Sequence, residues 1–68
     1  MTIKINSSVG KSGSNIKSDV VKIQKALNLV FPSLILSVDG LCGPKTIRRI
    51  QRFQRRFMRK PDGRIDPN

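Results

Sequence analysis

The chain has 68 residues, enough for one small domain with a thin margin of stability. Fourteen Lys and Arg stand against four Asp, with no Glu and no His, for a net charge of +10. Without His there is no imidazole base or ligand, and a single Cys makes neither an internal disulfide nor a zinc site. A paired-carboxylate hydrolase would have only Asp19, Asp39, Asp62 and Asp66 to draw on. The composition therefore speaks against an enzyme and for an anionic partner, and it implies no metal or cofactor. Met1 to Gly10 lacks the apolar core of a secretory leader. The most apolar stretch, Leu27 to Val38, is broken by Asn28, Pro32, Ser33 and Ser37 and is too short to span a bilayer. Cys42 reads as a small buried or semi-buried filler.

The first segment, Asn6 to Ser18, carries Gly10 and Gly13 among Ser and Asn and reads as loop. Ile3, Ile5, Val9 and Ile16 would anchor it if it wraps the domain. A helix is predicted from about Asp19, with Ser18 or Asp19 capping its free amides. Val20, Ile23, Leu27, Val30 and Phe31 share one face, Lys22 and Lys25 lie opposite, and Pro32 ends the helix. Pro32 to Ser37 is a short connection. Val38-Asp39-Gly40 is a turn, because Asp-Gly tolerates the left-handed backbone.

Gly43-Pro44 opens a second helix, since proline suits the first helical position. It is predicted to run to about Met58, with Ile47, Ile50, Phe53, Phe57 and Met58 inward. Gln54 falls on that buried face and needs partners, expected in the preceding loop. Arg48, Arg49, Arg52, Arg55, Arg56 and Arg59 occupy the other face, with no acid between Asp39 and Asp62. Asp39-Gly40-Leu41-Cys42-Gly43-Pro44 then recurs as Asp62-Gly63-Arg64-Ile65-Asp66-Pro67. By analogy the second copy launches a third helix, capped by Asp66 and begun by Pro67, so the chain reads as part of a longer protein.

These pieces, in this order, resemble the small helical peptidoglycan-binding domain. The resemblance rests on Asp19-Val20, Ile23-Gln24 and Leu27-Asn28, then Val38-Asp39-Gly40 and Gly43-Pro44-Lys45-Thr46. It continues through Ile50, Phe53-Gln54 and the second Asp-Gly turn. Each piece is short, but together they cover about Val9 to Pro67. Ser8-Val9-Gly10, Gly13 and Asn15 resemble a lead-in seen on some phage lysins and secreted wall hydrolases. Arg49 departs from the family's usual small residue, and the Arg density is unusual for it.

The resemblance implies an all-α fold, a small three-helix bundle whose third helix lies mostly past Asn68. It divides the chain into a lead-in, residues 1–15, and a binding domain, residues 16–68. It implies a noncatalytic, monomeric module that binds peptidoglycan and holds a wall hydrolase, such as a phage endolysin, or a bacterial effector on murein. The parent would be made in the cytoplasm and released by lysis or a dedicated secretion machine.

The candidate ligand-binding residues are Asp39, Gly40, Leu41, Thr46 and Arg49, where the first Asp-Gly turn meets the second helix. Helix N-terminal amides suit a carboxylate or acetamido oxygen, Thr46 adds a hydroxyl, Arg49 can pair bidentately, and Leu41 offers an apolar contact. Each also has a plainer reading. Asp39 ties its own turn, Gly40 and Gly43 serve the backbone, Thr46 caps a helix, Gln24 and Gln54 brace loops, and Phe53 and Phe57 are core. Two other functions are weighed. A helix-turn-helix-like nucleic-acid binder would use the Arg face, but the joint between the helices is long and no exposed aromatics offer base stacking. The basic amphipathic segment Lys45 to Lys60 could also lie on anionic lipid or lipopolysaccharide as an isolated peptide, but far less so in the folded domain, where Phe53 and Phe57 are expected to be buried.

Overall fold

The computed structural model describes residues 3–67. Two helices carry the fold: α1, Lys17–Val30, and α2, Pro44–Gln54. Two very short strands, β1 at Val9–Gly10 and β2 at Arg64–Ile65, pair antiparallel with Val9 opposite Ile65. The described part is thus mostly helical, but not purely so as the sequence reading had it. The third helix expected after Asp66 would lie beyond Pro67, outside the described residues.

The core is built from every segment of the chain. Val20, Ile23 and Leu27 of α1 and Ile50 of α2 are buried together with Ile5, Val9 and Leu36. Phe31, Cys42, Phe53 and Ile65 pack against this cluster from partly buried positions. Ile5 and Val9 draw the lead-in across the core, whereas Ile16 is half-exposed and does not anchor it.

Asp19 is a correction. It does not cap its own helix, which begins two residues earlier with Ile16 at the N-cap and no side-chain cap. The Asp19 carboxylate is instead fully buried and accepts three bonds from the lead-in. These come from the Asn6 N–H at 3.0 Å, the Ser7 N–H at 3.1 Å and the Ser7 hydroxyl at 2.8 Å. The Asn6 amide foremost, helped by Ser7, holds the carboxyl below the ordinary carboxylate range against the opposing effect of burial. A charge placed one turn inside a helix thus docks the chain before it.

The second helix is shorter than its pattern. It stops at Gln54, and the chain turns through Arg55 to Phe57, with both Phe57 and Met58 donating to the Gln54 carbonyl. Phe57 therefore leaves the buried arc and is 66% exposed, not core as expected. The reason lies in Gln54, whose side chain reaches the following loop, not the preceding one. Its Nε2 donates to Asp62 Oδ1 at 3.0 Å and to the Arg64 carbonyl at 2.9 Å. Its Oε1 accepts the Gly63 N–H at 2.9 Å. Bringing the loop back onto Gln54 requires the chain to reverse soon after it.

Candidate functional site

The two Asp-Gly turns are built alike, each on a buried Gln. At the first, Gln24 Nε2 lies within 3.1 Å of Asp39 Oδ1, 3.1 Å of the Leu41 carbonyl and 3.2 Å of Thr46 Oγ1. Its Oε1 accepts the Gly40 N–H at 3.0 Å. Asp39 closes its own turn by accepting the Leu41 N–H at 2.9 Å, just as Asp62 accepts the Arg64 N–H at 3.0 Å. The Leu41 amide chiefly, then the Gln24 amide, holds the Asp39 carboxyl below its ordinary range. The Arg64 amide, then Gln54, does the same for Asp62. Gly40 and Gly63 both have φ +75°, the left-handed region where a Cβ is strained.

A hollow of about 590 Å³ opens beside the first turn. Asp39, Leu41, Thr46 and Arg49 line it, so four of the five residues singled out from sequence share one concavity. Gly40 is buried and gives the wall no surface. Its N–H is turned inward onto Gln24, which places it in the frame of the site. Leu41 is 68% exposed, a free apolar contact. Thr46 is buried, and its hydroxyl accepts from Gln24; the cap position of α2 falls to Gly43, without a side-chain cap. The first intrahelical bond of α2 runs from the Ile47 N–H to the Gly43 carbonyl, so the Lys45 and Thr46 amides precede the ladder. Arg49 Nε is shielded from solvent and has no hydrogen-bond partner among the described residues.

Sequence reasoning missed part of the wall. Lys45 and Arg48 line the hollow beside Arg49, as do Ile35 and Leu36 from the connection. Lys45 lies one helical turn before Arg49, and that spacing could have found it. Ile35 carries no such signal. Leu36 is held by Asn28, whose side-chain amide exchanges two bonds with its backbone, at 2.7 and 3.0 Å. Among the described residues no group of three His, Cys, Asp or Glu could hold a metal ion, and no helix is long and apolar enough to cross a membrane.

A small, mostly helical module with a hollow of mixed polar and apolar lining, framed by a braced Asp-Gly turn, has the features of a binding domain. Residues 16–68 match the profile of the peptidoglycan binding domain, and the chain belongs to that family. Its family role is peptidoglycan binding, consistent with action at the cell wall. Comparison with curated proteins gave no match, and neither did comparison with solved structures.

Proposed function

We propose that this chain is a noncatalytic wall-binding module that holds an attached hydrolase or effector on murein through the hollow beside Asp39-Gly40. The observation that carries the site is Arg49, whose Nε is shielded and without a partner among the described residues, in the wall of a hollow it shares with Thr46, Leu41 and the start of α2. A buried donor without an acceptor is costly, so a shift of the Arg49 side chain into the hollow that pairs it with an anionic ligand oxygen would be favoured. Peptidoglycan supplies such oxygens on its stem-peptide carboxylates and, uncharged, on its acetamido groups. Leu41 would meet an apolar part of the same ligand. In this reading the second Asp-Gly turn also launches a helix, from Asp66-Pro67, and completes a three-helix bundle.

The test is retention on purified, insoluble sacculi at low and high salt. Arg49→Ala should weaken retention about tenfold or more, the worth of a charge-assisted pair, and Thr46→Ala should weaken it less. Wild-type retention should persist at high salt, because contacts shaped by a hollow are screened less than surface charge. If both variants pellet like wild type, the hollow is the wrong site. If nothing pellets at either salt, the wall-binding reading fails.

A further inference from the structure

The positive face of α2 is not neutralised by the fold. Lys45, Arg48, Arg52 and Arg55 follow one another at steps of three or four residues, all exposed, along the roughly 16 Å of the helix. Arg56, Arg59 and Lys60 extend the charge past its end, also exposed. The ion pair found among the described residues joins Arg64 to Asp66, away from this stripe. Asp19, Asp39 and Asp62 turn their carboxylates onto backbone amides and Gln side chains. The four acids are thus spent elsewhere, and the stripe repels itself unless something outside meets it.

Two features give the stripe a form beyond charge. The guanidinium carbons of Arg52 and Arg56 lie 5.9 and 5.0 Å from the centre of the same Phe31 ring, which restrains both at low entropic cost. Beside them Phe57 stands 66% exposed, held edge-to-face against Phe53 with ring centres 5.4 Å apart. Lys45 and Arg48, at the start of the stripe, also line the hollow beside Asp39, but Arg52, Arg55, Arg56 and Phe57 take no part in it.

We propose that this face is a docking surface for an anionic lipid leaflet, with the Arg side chains on headgroup phosphates and Phe57 entering the headgroup–acyl boundary. A stripe on a helix is convex, so it suits a broad, multiply charged surface and not a small anion. Duplex nucleic acid would satisfy the charges but keeps its base faces inside the stack; the exposed Phe57, which the sequence had not led one to expect, is then left without a role. A leaflet engages both, since cationic side chains flanking an aromatic ring suit the membrane interface. Among the described residues Phe57 is exposed, and it lines a hollow together with Phe53, Ile65 and Asp66, so docking by this chain requires no unfolding.

The test is cosedimentation with vesicles of equal parts phosphatidylglycerol and phosphatidylcholine, with pure phosphatidylcholine vesicles and duplex DNA as the other arms. The full chain should bind the mixed vesicles, release at high salt, and ignore pure phosphatidylcholine. Arg52→Gln with Arg56→Gln should lower partitioning about 25-fold, at about fivefold for each surface charge. Phe57→Ser should lower it about tenfold without changing the salt slope, for loss of a partly buried ring. All three positions are partly or wholly exposed, and far-UV circular dichroism verifies that the variants stay folded. Equal binding to neutral vesicles would overturn the proposal. So would a Phe57→Ser variant that partitions like wild type, or tighter binding to DNA than to the mixed vesicles. Sacculus retention by the Arg52/Arg56 variant at high salt should match wild type, which separates this surface from the wall-binding hollow.

Discussion

Replacing Gln24 by Met keeps the length and volume of a buried side chain and removes its amide. The Gly40 N–H then loses its acceptor in a buried position, and the Leu41 carbonyl and Thr46 hydroxyl lose a donor. The Asp39 carboxylate loses that donor too; Asp39 and Leu41 are exposed residues that water reaches, whereas the buried Gly40 amide keeps no partner and dominates the cost. An unsatisfied buried backbone donor costs about 1–3 kcal/mol. A domain of this size holds roughly 3–10 kcal/mol in all, so the change removes a large share. At about 4–8 °C per kcal/mol, Tm should fall by roughly 10–15 °C for a loss near 2 kcal/mol. Gln54→Met is the internal control, because it breaks the equivalent bonds at the second turn and should cost about as much. Sacculus retention, measured at a temperature where both variants are folded, should fall for Gln24→Met and hold for Gln54→Met. The reasoning is refuted if Gln24→Met shifts Tm by less than about 3 °C, below the smallest expected cost. It is equally refuted if the two variants lose retention together.

Three further outcomes follow from the same contacts. Asp19, Asp39 and Asp62 all have folded pKa values below their ordinary value, so each contributes stability that is present above the unfolded pKa and lost as pH falls through the folded one. Thermal stability should therefore hold from neutral pH down to about 5 and drop below about 4, and Asp19→Asn should shrink that acid limb while lowering the neutral plateau. Asn28→Ala removes both bonds to the Leu36 backbone and should cost about 1 kcal/mol, or roughly 4–8 °C in Tm. Ile50→Ala cuts a fully buried side chain from the centre of the core and should cost about 2–5 kcal/mol, lowering Tm by at least about 8 °C by circular dichroism.

The parts of the fold that could be read from sequence are those set by local rules. Pro44 at the first helical position, the stop at Pro32 and the left-handed Gly40 and Gly63 follow from backbone sterics alone. The clustering of Asp39, Leu41, Thr46 and Arg49 was also accessible, because one turn and the helix it opens place them together. What stayed hidden depends on contacts distant in sequence. Asp19 looks like a cap until its partners, twelve and thirteen residues earlier, are seen. Phe57 fits a helical arc, but that arc is cut when the second turn folds back onto Gln54. The β1–β2 pair links residues more than fifty positions apart and has only two residues in each strand, too few to show a period.

The two Asp-Gly turns share a scaffold and differ in their surroundings, and that difference bears on the choice of site. At the second turn β1 lies alongside, the Gly63 carbonyl accepts the Lys11 N–H at 2.9 Å, and Arg64 is drawn into an ion pair with Asp66. A smaller hollow of about 370 Å³ remains there, with Lys11 and Ser12 of the lead-in in its wall. At the first turn, among the described residues, no strand pairs alongside, the residue after Gly is the exposed Leu41, and Arg49 stands near with its Nε unpaired. One copy of the motif thus has its turn backbone committed to closing the fold, while the other keeps exposed surface, which is why the proposed site is placed there. Since Gln24 and Gln54 hold their turns by the same bonds, binding must be decided by what surrounds each brace and not by the brace itself. Leu41→Arg, which gives the first turn the residue found at the second, should then leave Tm nearly unchanged and weaken sacculus retention by removing the apolar contact. Unchanged retention, at low and at high salt, would mean that the neighbourhood of the first turn is not what selects it.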